Sequence, residues 1–310
     1  MRRSRKAVFF HYYERDSRYK ENLIFFLSVA YRSDLDFFLI ISGACSVSIP
    51  EWSNLRLFYV ENKNHDYGGY SSVVRQLKEQ LYGYEYYIFV NSSVRGPFLR
   101  FAGMNWVDCF LRFISSDVGL VGSSINILPE KSKYSEMMRS NYDYFSPYSH
   151  VQTTAYALSG EAFRHLVAVG FFGLADALPK DELICYYEVG LSQEVKRVGW
   201  NIAACLERYN SIDYRLPHDD INPTSRKGDP LYKGAYFGRT ASCDELVFIK
   251  TNRNLIGDFR LCLRTWRELR RVKSPLVVGW CEYRRFRRYL LLKALCSPLL
   301  SLWRKVVQEK

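Results

Sequence analysis

Cysteines with metal-binding or redox spacing are missing from this chain of 310 residues. Its eight cysteines are scattered, no two are spaced as Cys-x-x-Cys, and no pair of histidines completes a zinc pattern. Cys45, Cys109, Cys205 and Cys262 lie in or beside apolar runs, where a free thiol behaves as a small hydrophobic side chain. This usage argues against a zinc-ribbon or disulfide-scaffold protein and predicts a reduced, cytosolic compartment.

Long apolar runs are also absent. The basic start at residues 1–13 is followed by three charged residues at 14–16 and by no small-residue cleavage site, so we expect no signal peptide. The most apolar C-terminal segment, Tyr289–Trp303, is interrupted by Lys293 and Pro298. It is shorter than the roughly 20 apolar residues that a membrane-spanning helix needs.

Positive charge is abundant, but it is concentrated at one end. The net charge is +12, and residues 264–310 carry 13 basic against 3 acidic residues. We therefore expect a body over residues 1–257 that does not bind nucleic acid, followed by a basic amphipathic helical tail over residues 258–310. The composition of the tail is typical of an anchor on an anionic membrane surface, with Trp303 at the headgroup level. A helix that packs on the body or mediates oligomerisation remains an alternative.

The body alternates short apolar runs with helical patterns, which predicts an α/β fold. Between the third strand and the next helix, the polar, Gly-rich segment Glu61–Tyr70 is predicted as a loop, with Ser71 as the N-cap of that helix. The segment Tyr209–Arg239 is rich in Pro, Gly, Asn and Asp and is predicted as a loop over a site. The predicted strands are Ala7–Tyr13, Phe37–Ser42, Leu55–Val60, Tyr86–Val90, Gly119–Ser123, Val151–Leu158 and Asn201–Leu206, and the predicted helices are Asn22–Arg32, Ser71–Leu81, Gly160–Gly170 and Asp181–Gly199.

One of these strands ends in an unusual way. The apolar run Tyr86–Val90 stops at three small polar residues, Asn91, Ser92 and Ser93. A continuous apolar run is typical of a strand buried on both faces in a parallel sheet. Open α/β sheets bind their ligands at the carboxyl ends of such strands. The segment is therefore a candidate ligand site, although an ordinary strand-to-loop exit has the same pattern.

A second segment, Tyr187–Ile202, carries a family resemblance. Glu188 stands eleven residues before a Gly199-Trp200-Asn201-Ile202 turn, and a helical pattern lies between them. Here the chain resembles the GT-A glycosyltransferases, which use nucleotide-sugar donors. The resemblance implies a Rossmann-like GT-A fold with a mixed central sheet, and it implies Glu188 as the base that deprotonates the acceptor hydroxyl. A carboxylate that stabilises a helix N-terminus is the alternative for Glu188.

The chain departs from that family where its metal-binding Asp-x-Asp would stand. Asn91, Ser92 and Ser93 replace the carboxylates, so we expect no tightly held Mg or Mn, although a weakly held ion stays open. Some other cation must then compensate the leaving diphosphate. The candidates are Arg95, as a bidentate donor, and Arg239.

Further candidates accompany these residues. The segment Asn64–Gly69 is similar to one in bacterial transferases of the rhamnan-synthesis type, which implies that Asp66 hydrogen-bonds a nucleotide base or ribose. Gly68 and Gly69 would let the backbone approach that ligand. A capping role is equally open for Asp66. The remaining candidates are Asp181 and Glu182 as rival bases, and His150 and His218 as substrate-binding or metal-binding residues.

The resemblance covers about residues 6–252 and implies a hexosyltransferase. Because the Asp-x-Asp carboxylates are missing, we expect it to require no cofactor, with a weakly held Mg or Mn left open. It would move a sugar from a nucleotide-sugar co-substrate to a glycan or lipid-linked acceptor in lipopolysaccharide O-antigen or capsule biosynthesis, with inversion and without metal. The expected location is the cytoplasmic face of the cell membrane, as a peripheral protein. The alternative is a non-catalytic nucleotide-binding or sugar-binding protein, or a membrane adaptor, that keeps this fold.

Overall fold

The computed structural model describes residues 6–101, 103–173, 176–271 and 283–296. Its strands are β1 Lys6–Tyr12, β2 Asp36–Ser42, β3 Leu55–Val60, β4 Tyr86–Asn91, β5 Val94–Arg95, β6 Val118–Gly122, β7 Ile125–Asn126, β8 His150–Val151, β9 Ala155–Ser159, β10 Asn201–Ala204 and β11 Ile249–Lys250. Its α-helices are α1 Ser17–Val29, α2 His65–Leu77, α3 Asp108–Leu111, α4 Lys133–Asn141, α5 Gly160–Ala168, α6 Lys180–Leu183, α7 Gly190–Arg197, α8 Cys243–Leu246 and α9 Asp258–Arg271. Residues 283–296 are also helical.

The core is a seven-stranded sheet in the order β10-β6-β9-β4-β1-β2-β3. Strand β9 pairs antiparallel with both β4 and β6, while the other pairs in this sheet are parallel. The predicted mixed α/β sheet with a Rossmann-like first half is thereby confirmed, as is the presence of C-terminal helices. The chain order reverses between β1 and β4, and such reversal points are where open α/β sheets bind ligands.

Aromatic side chains at matching positions hold the middle of the sheet together. The Phe9 ring stacks on Phe38 at 4.7 Å and on Phe89 at 4.9 Å, and Phe89 stacks on Tyr156 at 4.9 Å. All four side chains are buried. Cross-strand aromatic pairs of this kind stabilise a sheet beyond the area they bury, and they fix its register.

Helix α2 begins at His65, six residues before the predicted start, so Ser71 is a buried residue inside the helix and not its cap. The reason lies in two glycines. A Cβ atom on Gly68 would lie 1.7 Å from the Lys63 carbonyl oxygen, and one on Gly69 would lie 2.4 Å from Cδ2 of His11. The glycines therefore let α2 pack closely on the preceding loop and on β1, which corrects the prediction that they approach a ligand.

Two predicted elements in the second half of the chain are each divided into shorter pieces in the structure. The predicted strand Val151–Leu158 is two strands, β8 and β9, with Thr153 and Thr154 between them. The predicted helix Asp181–Gly199 runs through α6 and α7 with a π-helical turn, Ile184–Val189, between the two. A π-turn inserts an extra residue and re-aims the side chains on it, a deviation that often marks functional sites.

The described part of the tail packs on the body. Cys262 and Leu269 of α9 and Leu290 of the 283–296 helix are buried in the main core. In addition, Lys293 Nζ lies 3.1 Å from an oxygen of Glu21 on α1. Trp303 and Pro298 lie outside the described residues. None of the described helices combines the length and apolar character that crossing a bilayer requires.

Candidate active site

A cavity of about 440 Å³ opens at the carboxyl edge of the sheet, beside the end of β4. Side chains from α2, the β4 exit, β8, the π-turn and β11 converge on it. Among its polar lining residues are Asp66, Asn91, Ser93, His150, Glu188 and Lys250. The predicted candidates Asp66, Asn91, Ser93, His150 and Glu188 are thus brought together, although they span more than a hundred residues of sequence.

The polar exit of β4 divides between the cavity and the core. Asn91 Nδ2 donates to Asp66 Oδ2 at 2.9 Å, and Asn91 Oδ1 accepts hydrogen bonds from the amide and hydroxyl of Ser93. Ser92 instead is buried, and its Oγ accepts from the Tyr13 amide at 3.2 Å. Asn91 and Ser93 therefore face the cavity, while Ser92 ties β4 to β1 and does not line the cavity.

Asp66 sits in the first turn of α2 on a strained backbone. Its neighbours Asn64 and His65 have positive φ angles of 55° and 54°, an uncommon conformation for residues other than glycine. The Asn64 side chain holds this turn because it bonds the backbone of Asp176 and Leu178. Burial raises the pKa of Asp66 and the charge of Glu188 raises it further, while the hydrogen bond from Asn91 opposes the shift.

Glu188 lies within the π-turn and not at a helix start, so it does not stabilise a helix N-terminus as the alternative reading of the sequence had it. Its side chain is 32% exposed, and the exposed part faces the cavity. Tyr187, the preceding residue, turns the other way and stacks on Tyr67 at 4.5 Å. The π-turn thus places one carboxylate in the cavity and anchors its neighbour in the core.

His150 faces the same space from β8. Its Nε2 atom lies 4.0 Å from Glu188 Oε1, and its Nδ1 atom lies 3.0 Å from the Tyr148 carbonyl oxygen. Burial lowers the pKa of His150, with Glu188 and the Tyr148 carbonyl acting in the opposite direction. The imidazole is therefore neutral near pH 7, and the carbonyl fixes its proton on Nδ1.

Three cations on the cavity wall were missed by sequence reasoning: Lys180, Lys250 and Arg253. Lys180 is exposed at the rim, and Arg253 forms an ion pair with the buried Asp229. Lys250 is half-buried on β11, which pairs antiparallel with β5 directly after the Asn91–Ser93 exit. No local motif marks these residues; only the pairing of β11 with β5 brings Lys250 to the edge of the sheet.

Arg95 is not in the cavity, which corrects its prediction as a diphosphate partner. The side chain is 2% exposed, and its Nη2 donates to Glu21 at 2.7 Å and its Nε to Asn22 at 2.9 Å, both on α1. Burial raises the pKa of Glu21, but the charges of Arg95 and Lys293 outweigh it and hold that pKa below its ordinary value. Arg95 is thus part of a buried ion network between β5, α1 and the C-terminal helix.

The other predicted candidates also lie outside the cavity lining. Arg239 forms an ion pair with Glu245, Asp181 pairs with Lys133 on the surface, and Glu182 lies beside Asp181 without facing the cavity. His218 Nε2 lies 2.8 Å from the Ser149 hydroxyl. No residue of the predicted covering loop, Tyr209–Arg239, lines the cavity; the loop instead contacts the lining residue Arg253 through the Asp229 carboxylate and the Leu231 carbonyl.

The donor set at the β4 exit does not fit a divalent metal. One carboxylate, Asp66, faces the exit, and its Oδ2 already accepts from Asn91. The Asn91 amide oxygen is in turn bonded by Ser93. Across the described ranges, no group of three or more His, Cys, Asp or Glu side chains is placed to hold a metal ion. Mg²⁺ and Mn²⁺ favour several oxygen ligands, with carboxylates among them.

No protein-family model matches the sequence, and no curated protein matches it at a significant level. Among solved structures, the chain is similar to the mannosyltransferase PcManGT from Pyrobaculum calidifontis, in complex with GDP-Man and Mn2+, with 13% identity and a TM-score of 0.38 over 65% of this chain and 55% of that one. It is similar to the galactosyltransferase LgtC, in complex with donor and acceptor sugar analogs, with 11% identity and a TM-score of 0.38 over 91% and 99% of the two chains. It is also similar to core-mannan synthase A from Aspergillus fumigatus, in an Mn/GDP form, with 10% identity and a TM-score of 0.35 over 82% and 85%. The chain spans about half the length of the mannosyltransferase. Identities and TM-scores are low, and nothing about the activity of this chain follows from them.

Proposed function

We propose that this chain is a glycosyltransferase that uses a nucleotide-sugar donor. The observation that carries the proposal is the meeting of Glu188 and the neutral His150 in one cavity at the carboxyl edge of the sheet, with Lys250 on the wall. Glycosyl transfer needs a base near the acceptor hydroxyl and a positive charge near the leaving diphosphate, held in a fixed arrangement. The cavity wall supplies both kinds of group.

The transfer requires few steps from the protein. The acceptor oxygen forms a bond to the anomeric carbon of the donor sugar while the bond from that carbon to the diphosphate oxygen breaks. The nucleoside diphosphate leaves with the electron pair, and the acceptor proton passes to Glu188. With Glu188 on the face opposite the leaving group, the anomeric configuration inverts, and the cations on the wall in place of carboxylates suit a metal-independent reaction.

A second cavity gives room for the rest of a donor molecule. It has a volume of about 380 Å³, lies at the carboxyl end of β3, and shares His65 and Leu183 with the first cavity. Nucleotide sugars are extended ligands with a base, a ribose, a diphosphate and a sugar. Two adjoining cavities along one edge of the sheet suit such a ligand.

A thermal-shift panel of nucleoside diphosphates and nucleotide sugars, with and without EDTA, tests the proposal. Stabilisation grows with the ratio of ligand concentration to Kd, so a specific shift identifies the class of donor. We expect a shift that survives EDTA, and we expect donor turnover with a sugar acceptor. A flat panel on folded protein would remove the support for a transferase.

We further propose that the acceptor is a glycan or a lipid-linked sugar of surface polysaccharide assembly, lipopolysaccharide O-antigen or capsule, at the cytoplasmic face of the membrane. The outer face of the 283–296 helix supports this location, because Leu292 and Leu295 are 61% and 62% exposed next to the exposed Arg285 and Arg288. An apolar and cationic face of this kind suits an anionic bilayer surface.

Flotation of the full chain with vesicles tests the location. Vesicles in which about one third of the lipid is anionic should bind the wild type. The double variant Leu292→Asp/Leu295→Asp should not bind them. Leu216→Asp changes an equally exposed leucine elsewhere on the body and should leave it intact. Equal binding of all variants would contradict a membrane role for this helix.

A non-catalytic nucleotide-binding protein or membrane adaptor is the second candidate. The observation in its favour is the set of amides and hydroxyls at the β4 exit, where the resembling enzymes carry carboxylates. Such a protein would bind donor or vesicle without turnover. Prolonged incubation with donor and mixed acceptors, followed by assay of released nucleoside diphosphate, separates the two candidates.

A further inference from the structure

Lys250 stands at the junction of two short strands that border the cavity. It pairs with Val94 of β5, and the next residue, Thr251, donates from both its amide and its hydroxyl to the Ser93 carbonyl at 3.1 Å. These bonds fix β11 against the polar exit of β4. The Lys250 side chain lines the cavity beside Asn91 and Ser93, on a framework that is set by backbone hydrogen bonds.

The ammonium group of Lys250 has no hydrogen-bond or ion-pair partner among the residues that the structure describes. Of the other two cations on the wall, Arg253 is paired with Asp229, and Lys180 is exposed to solvent, so neither is an unpaired and half-buried charge as Lys250 is. An amine in such a place is hydrated poorly and compensated incompletely. It is therefore ready to accept an anionic ligand.

Charged and titratable groups face Lys250 from every neighbouring element. Burial lowers the pKa of Lys250, Arg253 lowers it further, and the carboxylates of Glu188, Asp229 and Asp66 oppose that shift. The other titratable side chains on the same wall are His65, Tyr67, Tyr134, His150 and Lys180.

We propose that Lys250 binds the diphosphate of the nucleotide-sugar donor and compensates the negative charge that develops there when the bond to the sugar breaks. The Lys250 ammonium would supply the positive charge that a divalent metal ion supplies in enzymes with carboxylates after the strand that corresponds to β4. This inference rests on the proposed transferase function. Lys250 thus takes the diphosphate-binding role that was predicted for Arg95, which lies in a buried ion network on the other side of β5.

A consequence of this placement is a proton taken up on binding. A diphosphate beside Lys250 stabilises the ammonium form, so any fraction of the amine that is neutral in the free protein becomes protonated in the complex. The uptake is measurable as a binding enthalpy that changes with the ionisation enthalpy of the buffer. Because the diphosphate itself also exchanges protons with the buffer, the part of this dependence that is due to Lys250 is the part that disappears in Lys250→Met.

The test is calorimetric titration of the full chain with UDP, GDP and inorganic pyrophosphate in EDTA. We expect Lys250→Met to weaken nucleoside diphosphate binding about 10- to 100-fold and Lys250→Arg to retain part of the affinity. Lys233→Met removes an exposed lysine outside the cavity lining and should change nothing. Because Lys250→Met removes a poorly hydrated charge, its thermal midpoint should not fall, and circular dichroism checks that it is folded.

The outcomes separate the two proposals. Equal nucleoside diphosphate affinity in wild type and Lys250→Met would overturn the role of Lys250 and leave the transferase intact. Binding that requires Mn²⁺ and disappears in EDTA would overturn charge compensation by Lys250. Lys250-dependent binding of pyrophosphate, with no binding of any nucleotide, would keep an anion site and overturn the transferase. No binding of any probe would overturn both.

Discussion

The Nε2 atom of His150 and the Oε1 atom of Glu188 lie 4.0 Å apart in the lining of the cavity. The Tyr148 carbonyl holds the imidazole proton on Nδ1, so Nε2 presents a lone pair toward a carboxylate. Two acceptors at this distance form no hydrogen bond with each other. A hydroxyl group or water between them can donate to either one. In the proposed reaction, an acceptor hydroxyl would bind at this pair before it loses its proton.

The first prediction concerns Glu188→Gln. The amide keeps the size of the side chain but cannot take a proton, so kcat should fall about 100- to 10,000-fold while nucleoside diphosphate affinity changes little. Steady-state kinetics and calorimetric titration measure the two effects separately. Glu182→Gln changes a neighbouring carboxylate outside the cavity lining and serves as the control. Loss of turnover in Glu182→Gln, with Glu188→Gln active, would assign the base to the rival residue.

The second prediction concerns Arg95→Met. Removing this guanidinium takes one of two ion-pair partners from the buried Glu21. A fully uncompensated buried charge costs about 3 to 5 kcal/mol, so with Lys293 still in place the loss should be smaller than that. The urea midpoint should fall accordingly, while the diphosphate affinity of the folded protein stays unchanged. Arg32→Met breaks the surface pair with Asp34 and should cost less than about 1 kcal/mol. Weakened diphosphate binding in folded Arg95→Met would show that Arg95 does contribute to the donor site.

The seven strands of the main sheet were predictable because each contains a short apolar run with a clear end, whereas the two-residue strands β5, β7 and β11 were missed and β8 was merged with β9. Tyr86–Asn91, for example, is buried on both faces, and its sequence shows an apolar block that stops at polar residues. The start of α2 was not predictable from the same rules, since Gly68 and Gly69 are typical of a loop unless their contacts with Lys63 and His11 are known. Local sequence patterns indicate which residues are buried, but they do not indicate which segments of the backbone approach each other closely.

The same contrast holds for the site. Glu188, Asp66 and Asn91 were found because each follows a recognisable element or spacing. Lys250 was not, because nothing near it in the sequence indicates that β11 pairs with β5 more than 150 positions earlier. Arg95 was misplaced for a related reason: its partner Glu21 lies 74 residues away, and the side of β5 on which Arg95 emerges depends on a turn that residue types alone do not fix.

The third prediction concerns Gly69→Ala. The added methyl group would lie 2.4 Å from His11 Cδ2 and 3.1 Å from Ile40 Cγ2, both in the central sheet. Overpacking at such a site costs about 1 to 3 kcal/mol, so the urea midpoint should fall. Gly173→Ala is the matched control, because its methyl group meets nothing within 4 Å. Equal stability of the two variants would contradict the close packing of α2 on β1.

The last prediction concerns the buried His11 and the stability of the protein in acid. Burial, with a smaller contribution from His65, lowers the pKa of His11 from 6.5 to about 3, and the ring lies 2.8 Å from the Ser42 hydroxyl. Between these two values the unfolded chain binds a proton that the folded protein does not bind. Stability is therefore fully present above pH 6.5 and is lost as the pH falls toward 3, with a slope of at most about 1.4 kcal/mol per pH unit from this residue. The buried His150 acts in the same direction. Urea denaturation at several pH values between about 7.5 and 4 measures the slope, which should be shallower in His11→Gln. An identical pH dependence in the wild type and this variant would mean that His11 is protonated as easily in the folded protein as in the unfolded chain.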